Sequence, residues 1–432
     1  MNALLGFAAI LVLLALIMSK KATPVVALIV VPIVTALIGG FGVEIFAFVT
    51  DGIKEISATG VMFIFAILFF GILTDAGTFK PVISGLLKMA GDDPARIAVA
   101  TAILAMLVHL DGSGAVTFLV VIPAMVPIYD ALGMKRTTLA MIVALSAGTM
   151  NIMPWGGPTI RAATALSISV TDLFNPLLIP VCGGLIGVLA IAFFAGKKER
   201  RTAKAVSTKK DWEDHANTAA EVDPLERPGM RWFNYLLIIS AITVLILGVA
   251  PPHIVFMVGF ALAITLNYPN LHEQGKRIDA HAKAAILMAS ILFAAGCFIG
   301  ILKGSGMISD MSQVAVETMP GSVGNHLPVI VGVLSMPASL LFDPDSFYFG
   351  ILPVLSQTAE QFGIEGVEVA RAAVLGQMTT GFPVSPLTGS TYLLIGLAGI
   401  DLGEHQKRTI PYAFAITLLM LLISLMIGVI SF

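Results

Sequence analysis

Five ionisable side chains stand within long apolar stretches of this sequence. They are His109, Asp111, Arg161, Asp343 and Asp345. A charge removed from water is costly unless it is paired or solvated, so residues of this kind point to a site. An arginine can hold an anion, a partly desolvated carboxylate can carry a proton or a cation, and a histidine can relay protons.

Helix-breaking residues recur close to these ionisable groups. One set lies between Gly148 and Pro158, and a second lies between Gly381 and Pro386. Proline removes a backbone donor and glycine lowers helix propensity, so we expect the helix to open at both places. Unwound carbonyls can coordinate a cation, and the next half-helix presents free N–H groups to an anion. The candidate ligands at these two breaks are Asn151, Gly156, Gly157, Thr159, Thr379, Thr380, Ser385 and Thr388.

The composition shows what must surround these groups. Of 432 residues, 57% are hydrophobic and only 12% are charged, whereas a soluble domain has roughly 25% charged residues. That excludes a soluble enzyme and requires the apolar excess to face a lipid bilayer. The basic residues form no continuous stripe, which argues against a nucleic-acid partner. Cys182 and Cys297 both lie in apolar runs and suggest neither a disulfide framework nor a metal cluster.

A helix needs about 20 apolar residues to cross a bilayer. Simple spans are predicted at 2–18, 24–41, 57–74, 176–196, 232–250, 252–267, 284–302 and 410–431. Residues 42–56 and 79–92 are predicted as interfacial amphipathic helices. Two further stretches, 94–170 and 325–400, are apolar but interrupted by polar and helix-breaking residues. Irregular backbone at membrane depth is tolerated only where it is buried in protein or lines a wet cavity, so both stretches indicate a site.

The sequence contains an internal repeat with an offset of about 229 residues. FGILTDAG at 70–77 matches IGILKGSG at 299–306, and GTMNIMPWGGP at 148–158 matches GQMTTGFPVSP at 376–386. The repeat predicts two units, which are residues 1–196 and 232–432. The charged residues 197–231 are predicted to form a cytoplasmic linker between them.

The distribution of lysine and arginine predicts the topology. In one arrangement all but Lys54, Lys303 and Arg371 face the cytoplasm. Residues 94–128 then enter and leave from the cytoplasmic side as a re-entrant hairpin, because Arg96 and the Lys135–Arg136 pair flank them.

The repeat predicts a second hairpin at 325–353 that enters from the outside. The predicted broken helices are 137–170 and 366–400. Each unit then has five spans and one hairpin, and the odd number of spans inverts the second unit. An all-α polytopic membrane protein with two inverted repeats and broken helices is typical of secondary transporters.

The charges at the predicted hairpin tips and breaks constrain the cargo. One arginine stands against three aspartates, so a free trianion would meet net repulsion. The site therefore favours an anion whose charge is reduced by a bound cation, or an anion accompanied by protons. Asp111, Asp343 and His109 are the predicted proton-coupling groups.

Each of these residues also has a structural explanation. A tip aspartate can cap a half-helix, Arg161 can snorkel to an interface, and His109 can be a packed, hydrogen-bonded core residue. An intramembrane hydrolase using Asp111 and Asp343 is the alternative from another class. An enzyme has no need of two inverted halves with four chain breaks, so we favour a transporter. A carrier of another di- or tricarboxylate stays open.

Three segments resemble one known family. They are HLDGSGAVTF at 109–118, NIMPWGGPTIRAATAL at 151–166 and GQMTTGFPVSPLTG at 376–389. They are similar to the CitMHS family of bacterial citrate-metal:proton symporters, and the resemblance runs over nearly the whole chain. It implies proton-driven uptake of citrate complexed with a divalent ion such as Mg²⁺ or Ca²⁺, across a bacterial inner membrane, without a permanently bound cofactor. The wider superfamily implies a homodimer whose transport domains make an elevator-like motion.

The resemblance also implies which positions of this sequence contact the substrate. At the hairpin tips these are Asp111, Gly112, Ser113, Gly114, Asp343, Asp345 and Ser346, together with Asn151 to Arg161 and Thr379 to Thr388 at the breaks. Related sodium-coupled carboxylate carriers have Ser-Asn-Thr at the tips, a motif absent from this sequence, which favours protons over sodium. Close relatives have Asp-Gly-Asp-Gly at the first tip, and we expect Ser113, in the third position, to alter the choice of metal.

Overall fold

The computed structural model describes residues 2–19, 21–200 and 224–432. All regular elements in these ranges are helical, as the sequence predicts. The helices of the first half are α1 (Asn2–Met18), α2 (Pro24–Ile38), α3 (Glu44–Asp75), α4 (Lys80–Ala90), α5 (Pro94–Val108), α6 (Gly114–Ala131), α7 (Arg136–Met150), α8 (Gly157–Leu166), α9 (Val170–Phe174) and α10 (Leu178–Arg200). Short 3-10 turns at His109–Asp111 and Asn175–Leu177 join α5 to α6 and α9 to α10.

The second half of the described chain is likewise helical. Its helices are α11 (Arg231–Ile246), α12 (Pro252–Asn267), α13 (Leu271–Gly304), α14 (Met307–Thr318), α15 (Leu327–Ala338), α16 (Leu352–Gln361), α17 (Gly366–Val374), α18 (Gly389–Ala398) and α19 (Leu402–Met426). A four-residue turn, Gly321–Gly324, precedes α15, and a π-helical segment, Ser346–Ile351, precedes α16. The unit boundaries and the inversion of the second unit stay predictions.

Among the described residues, 6 helical stretches are long and apolar enough to cross a membrane. They are Glu44–Asp75, Gly114–Ala131, Val170–Arg200, Pro228–Ile246, Leu271–Gly304 and Leu402–Met426. Shorter apolar helices accompany them, including α1, α2, α5 and α12. This is the organisation of a multi-pass membrane protein.

The long helices α3 and α13 pack backbone against backbone. A Cβ atom on Gly52 would lie 2.1 Å from the carbonyl oxygen of Gly296, and one on Gly300 would lie 2.3 Å from that of Phe48. Small residues permit such close approach between membrane helices. The predicted interfacial helix at 42–56 is therefore wrong. Residues 44–56 belong to α3, which runs unbroken from Glu44 to Asp75 because its N-terminal turns pack on α13.

The base of the first hairpin is fixed by polar contacts to the end of α10. Asp93 caps α5 by accepting from Ala95 N at 3.2 Å, and Arg200 Nη2 donates to it at 2.5 Å. The hydrogen bond from Arg200 lowers the pKa of Asp93. Glu199 is buried and accepts from Thr138 Oγ1 at 2.7 Å in the first turn of α7.

These contacts hold the last described turn of α10 against the start of α5 and α7. The helix continues to Arg200, four residues into the segment predicted as a linker. Residues 201–223 of that predicted linker lie outside the described ranges.

Candidate functional site

The first break separates α7 from α8. The helix opens at Asn151 and resumes at Gly157. Thr159 Oγ1 donates to Ile152 O at 2.7 Å, across the opening. A Cβ atom on Gly156 would lie 2.1 Å from Asn151 O, so only glycine fits the tight turn. Thr159 and Gly156, two predicted ligands, therefore have structural roles within the break.

The second break separates α17 from α18, and its carbonyls, which have no helical partners, accept hydrogen bonds from side chains. Thr388 Oγ1 donates to Phe382 O at 2.8 Å. From α19, His405 Nε2 lies 2.8 Å from Pro383 O, and Gln406 Nε2 donates to Val384 O at 2.9 Å. The sequence analysis missed His405 and Gln406, because they stand among charged residues that read as a cytoplasmic loop.

The other predicted hydroxyls of the second break are also engaged locally. Thr380 Oγ1 lies 2.6 Å from Thr417 Oγ1 of α19, and Ser385 Oγ accepts from Leu387 N at 3.3 Å. Met378 has a φ of 55°, which a side chain other than glycine rarely adopts. The break is thus a shaped, internally bonded segment.

The two breaks cross in direct contact. Asn151 Nδ2 donates to Met378 O at 3.0 Å. A Cβ atom on Gly148 would lie 2.6 Å from Thr379 O, so glycine is required where the two segments meet. Asn151 and Gly148 of the first break therefore lie against Met378 and Thr379 of the second break.

The tip of the first hairpin rests on both breaks. Trp155 Nε1 donates to Leu110 O at 2.7 Å, which links the tip to the first break. A Cβ atom on Gly114 would lie 2.9 Å from the ring of Phe382 in the second break. Ser113 Oγ accepts from Val116 N at 3.3 Å and caps α6. Gly112 completes the turn with a φ of 74°. The side chain of Asp111 lies outside the described part of the chain.

His109 is fully buried beside this tip. Its Nδ1 lies 2.8 Å from Thr117 Oγ1, and its ring stacks on that of Phe382 at 6.3 Å. The Asn151 side chain lies close to the ring, but within the described residues Nε2 has no hydrogen-bond partner of normal geometry. His109 is therefore packed on one side and unsatisfied on the other.

The tip of the second hairpin carries a buried ion pair. Arg161 Nε, in the second turn of α8, lies 2.7 Å from Asp345 Oδ1, and the residues are only 8% and 5% exposed. Asp343 Oδ1 accepts from the backbone of Asp345 and Ser346 at 3.1 Å, and its Oδ2 accepts from the Ser346 hydroxyl. Arg161 does not snorkel to an interface, because it is buried and paired. Asp343 caps the segment that leads into α16.

Both tips reach adjacent residues of the second break. The Gly114 end of the first tip contacts Phe382, and Ser339, just before the second tip, packs on Gly381. Tyr348 OH donates to Gln377 O at 2.6 Å and ties the second hairpin to the same break. The two breaks and the two hairpin tips therefore meet in one buried region.

Several polar atoms in this region are buried without a hydrogen-bond partner in the described part of the protein. They are His109 Nε2, Thr149 Oγ1, both amide atoms of Gln377 and Thr379 Oγ1. Thr149 and Gln377 occupy equivalent positions of the sequence repeat, because they directly follow Gly148 and Gly376. An unsatisfied buried polar group costs about 1–3 kcal/mol, so each of these atoms is a candidate contact for a polar ligand.

Asp343 and Asp345 are the described carboxylates that could contact a metal ion in this region. Over the described residues, His, Cys, Asp and Glu side chains form no group of three or more able to hold a metal ion. A metal at these carboxylates would therefore take its other ligands from water or from a bound anion.

Comparison with known proteins agrees with this architecture. The chain is 44% identical over 433 residues to a Bacillus subtilis protein named citrate transporter, and the match covers 100% of both chains. It is 40% identical to a Bacillus subtilis Mg(2+)/citrate complex secondary transporter, over 100% of this chain and 99% of the relative.

Two solved structures share the fold at low sequence identity. The YdaH transporter of Alcanivorax borkumensis superposes with a TM-score of 0.63 at 14% identity, over 99% of this chain and 98% of that one. MtrF of Neisseria gonorrhoeae, from a class of antimetabolite efflux pumps, gives a TM-score of 0.59 at 12% identity, over 88% and 83%. The relatives and the structural neighbours are transporters, not enzymes. Residues 6–376 match the CitMHS family, described as citrate transporter, and the chain belongs to this family of membrane transporters.

Proposed function

We propose that this protein takes up citrate as a complex with a divalent metal ion, in symport with protons. The observation that carries the proposal is the buried pair of Arg161 and Asp345, in which the arginine charge is already neutralised. Asp343 adds a further negative group beside it. A free citrate trianion would therefore meet no unpaired cation among these residues, whereas a metal complex brings its own positive charge.

The ion pair suggests how such a complex is held. A metal–citrate complex presents a cation and carboxylates side by side, as Asp345 and Arg161 do. On binding, Asp345 turns to the metal or its water ligands, and Arg161 turns to a citrate carboxylate. Arginine suits carboxylates because its guanidinium donates two parallel hydrogen bonds. The exchange replaces one buried pair by two, so neither charge is left uncompensated.

The unpartnered polar atoms complete the proposed site. The Gln377 amide can donate to a carboxylate oxygen and accept from the citrate hydroxyl, and Thr149 and Thr379 can each donate once. Ser113, Gly112 and Gly114 belong to the tip that faces the same crossing, and Gly157 adjoins the Arg161 guanidinium. These residues form the proposed substrate site with Asn151 and Ser346.

Protons are proposed to travel on Asp111, Asp343 and His109. The name of the 40% identical relative supports a Mg²⁺–citrate substrate for this chain. Ca²⁺ is proposed as the alternative cargo ion. The proposal includes a homodimer in a bacterial inner membrane. In it, α3 and α13 belong to the fixed scaffold, and the hairpins and breaks move together as an elevator.

The test is uptake of labelled citrate into proteoliposomes containing the purified protein. Uptake is measured with Mg²⁺, Ca²⁺, Zn²⁺ or a chelator, each with and without an inward proton gradient. We expect uptake with at least one divalent ion, accelerated by the gradient and abolished by the chelator. Equal uptake with the chelator would refute the metal complex. Unchanged pH dependence in both Asp111→Asn and Asp343→Asn would refute these carboxylates as proton carriers.

A carrier of the same fold for another di- or tricarboxylate is the second candidate. It shares all of the features above except the detail of the site. Competition of unlabelled carboxylates against labelled citrate, at fixed metal concentration, separates the two. Intact labelled solute accumulating inside the vesicles would also exclude an intramembrane hydrolase as the main activity.

A further inference from the structure

A cavity of about 300 Å³ lies apart from the breaks and tips, between α3, the end of α8 and the α11–α12 connection. Its polar wall contains Glu55, Thr59, Thr164, Ser167, Ser169 and His253. Its volume is at the lower end of the range of small-molecule sites. None of these residues belongs to the site proposed above.

Thr164 connects this cavity to that site. It stands three residues after Arg161 on α8, about one helical turn further along the same face. Thr164 is 2% exposed and lines the cavity, and within the described residues its Oγ1 has no hydrogen-bond partner. The adjoining wall is held in an unusual conformation, because Ser167 has a φ of 58°. A buried hydroxyl without a partner at a cavity wall indicates a polar ligand.

The charges at the cavity suit an anion that carries a hydrated cation. Glu55 of the cavity wall accepts from Lys303 Nζ at 2.8 Å, so an ammonium lies directly beside this carboxylate. Carboxylate oxygens of a ligand can accept from the Thr59, Thr164 and Ser167 hydroxyls, while water on a divalent ion can donate to Glu55. Lys54 and Lys303 lie on the face predicted to be extracellular, so the predicted topology puts the Glu55 wall of the cavity near the side from which substrate arrives.

We propose that this cavity is an outer subsite where the metal–citrate complex binds before it reaches Arg161 and Asp345. The inference rests on the proposed function, since it takes the same complex as ligand. It assigns to Thr164 and Glu55 a binding role independent of the central ion pair.

The test is protection of a cysteine in the cavity wall from a charged, membrane-impermeant methanethiosulfonate. The background is the full chain with both Cys182 and Cys297 replaced by alanine, which leaves no other thiol because the sequence has 2 cysteines. Thr59→Cys places the reporter in the cavity wall. Thr50→Cys, exposed on the same helix but outside the cavity, is the matched control.

We expect Mg²⁺ with citrate to slow labelling of Thr59→Cys several-fold, and neither Mg²⁺ alone nor citrate with a chelator to do so. Labelling of Thr50→Cys should not change. The protection should persist when Arg161→Ala abolishes uptake. If Arg161→Ala does not fold, Asp345→Asn takes its place. Absence of protection, or its loss with the central variant, would overturn the outer subsite.

The variant Thr164→Val distinguishes a ligand-binding role of Thr164 from a purely structural one. A merely structural Thr164 predicts unchanged or higher thermal stability and unchanged protection, since the valine removes an unsatisfied hydroxyl. A binding role predicts a several-fold higher metal–citrate concentration for half-maximal protection. Uptake by the background chain is measured separately. If that chain transports metal–citrate but metal–citrate does not slow labelling of Thr59→Cys, only the subsite is contradicted. Absence of citrate transport contradicts the proposed function.

Discussion

Arg161 Nε lies 2.7 Å from Asp345 Oδ1, although the two residues are 184 positions apart in the chain. The pair joins a half-helix of the first half to a hairpin tip of the second. It is the buried ion pair on which the proposed exchange with metal–citrate depends.

A double-mutant cycle should expose the coupling within this pair. Arg161→Ala leaves a buried carboxylate without a partner, so we expect a loss of about 3–5 kcal/mol in the free energy of unfolding. Arg161→Ala with Asp345→Ala should cost less than the sum of the two single variants. Thermal unfolding in detergent measures this, and uptake should be lost in all three variants. Additive losses would mean that the two side chains do not interact.

Removing the link between the first hairpin and the first break should impair both stability and uptake. Trp155→Phe keeps an aromatic ring but removes the donor to Leu110 O, with an expected cost of about 1–3 kcal/mol. Trp232→Phe is the control, because Trp232 is 84% exposed. The unfolding temperatures and initial uptake rates of the two variants are compared. Equal behaviour of both would contradict a role for the hydrogen bond.

The crossing of the breaks should not tolerate a side chain at Gly148. Gly148→Ala places a Cβ 2.6 Å from Thr379 O, so we expect about 1–3 kcal/mol of destabilisation and a large loss of uptake. Gly403→Ala, in the first turn of α19, meets no atom within 4 Å of its Cβ among the described residues. That control should be neutral or slightly stabilising. A fully active Gly148→Ala would show that the breaks are farther apart than the structure indicates.

His405 should hold the second break in its working shape. His405→Ala removes the donor to Pro383 O, and we expect slower uptake with about 1–3 kcal/mol lower stability. Lys407→Ala, an exposed position on the same helix, is the control. Citrate uptake rate as a function of concentration distinguishes a changed maximal rate from a changed apparent affinity. Unaltered transport by His405→Ala would remove this residue from the mechanism.

The contact between Asp93 and Arg200 should make stability depend on acid pH. Arg200 lowers the pKa of Asp93 in the folded protein below its unfolded value of about 3.9. The stabilisation is therefore fully present above that value and is lost as the pH falls through the lower folded pKa. Unfolding temperatures of the unmodified chain and Asp93→Asn should differ at pH 6 and converge towards pH 3. A constant difference over this range would contradict the linkage.

The sequence predicted the positions of the helix breaks better than the contacts between them. Repeated glycines and prolines identified both breaks, because a change of helix geometry is a local property of the chain. The pairing of Arg161 with Asp345 depends on how two distant segments pack, which no local pattern contains. His405 was missed for the same reason. Its role comes from a carbonyl 22 positions away, and its neighbours in sequence are charged.

The contact between Asn151 and Met378 has a mechanical consequence. Each half of the chain supplies one of the two joined breaks, so a displacement of one break acts on the other. If the breaks move during transport, both halves of the chain therefore have to move together.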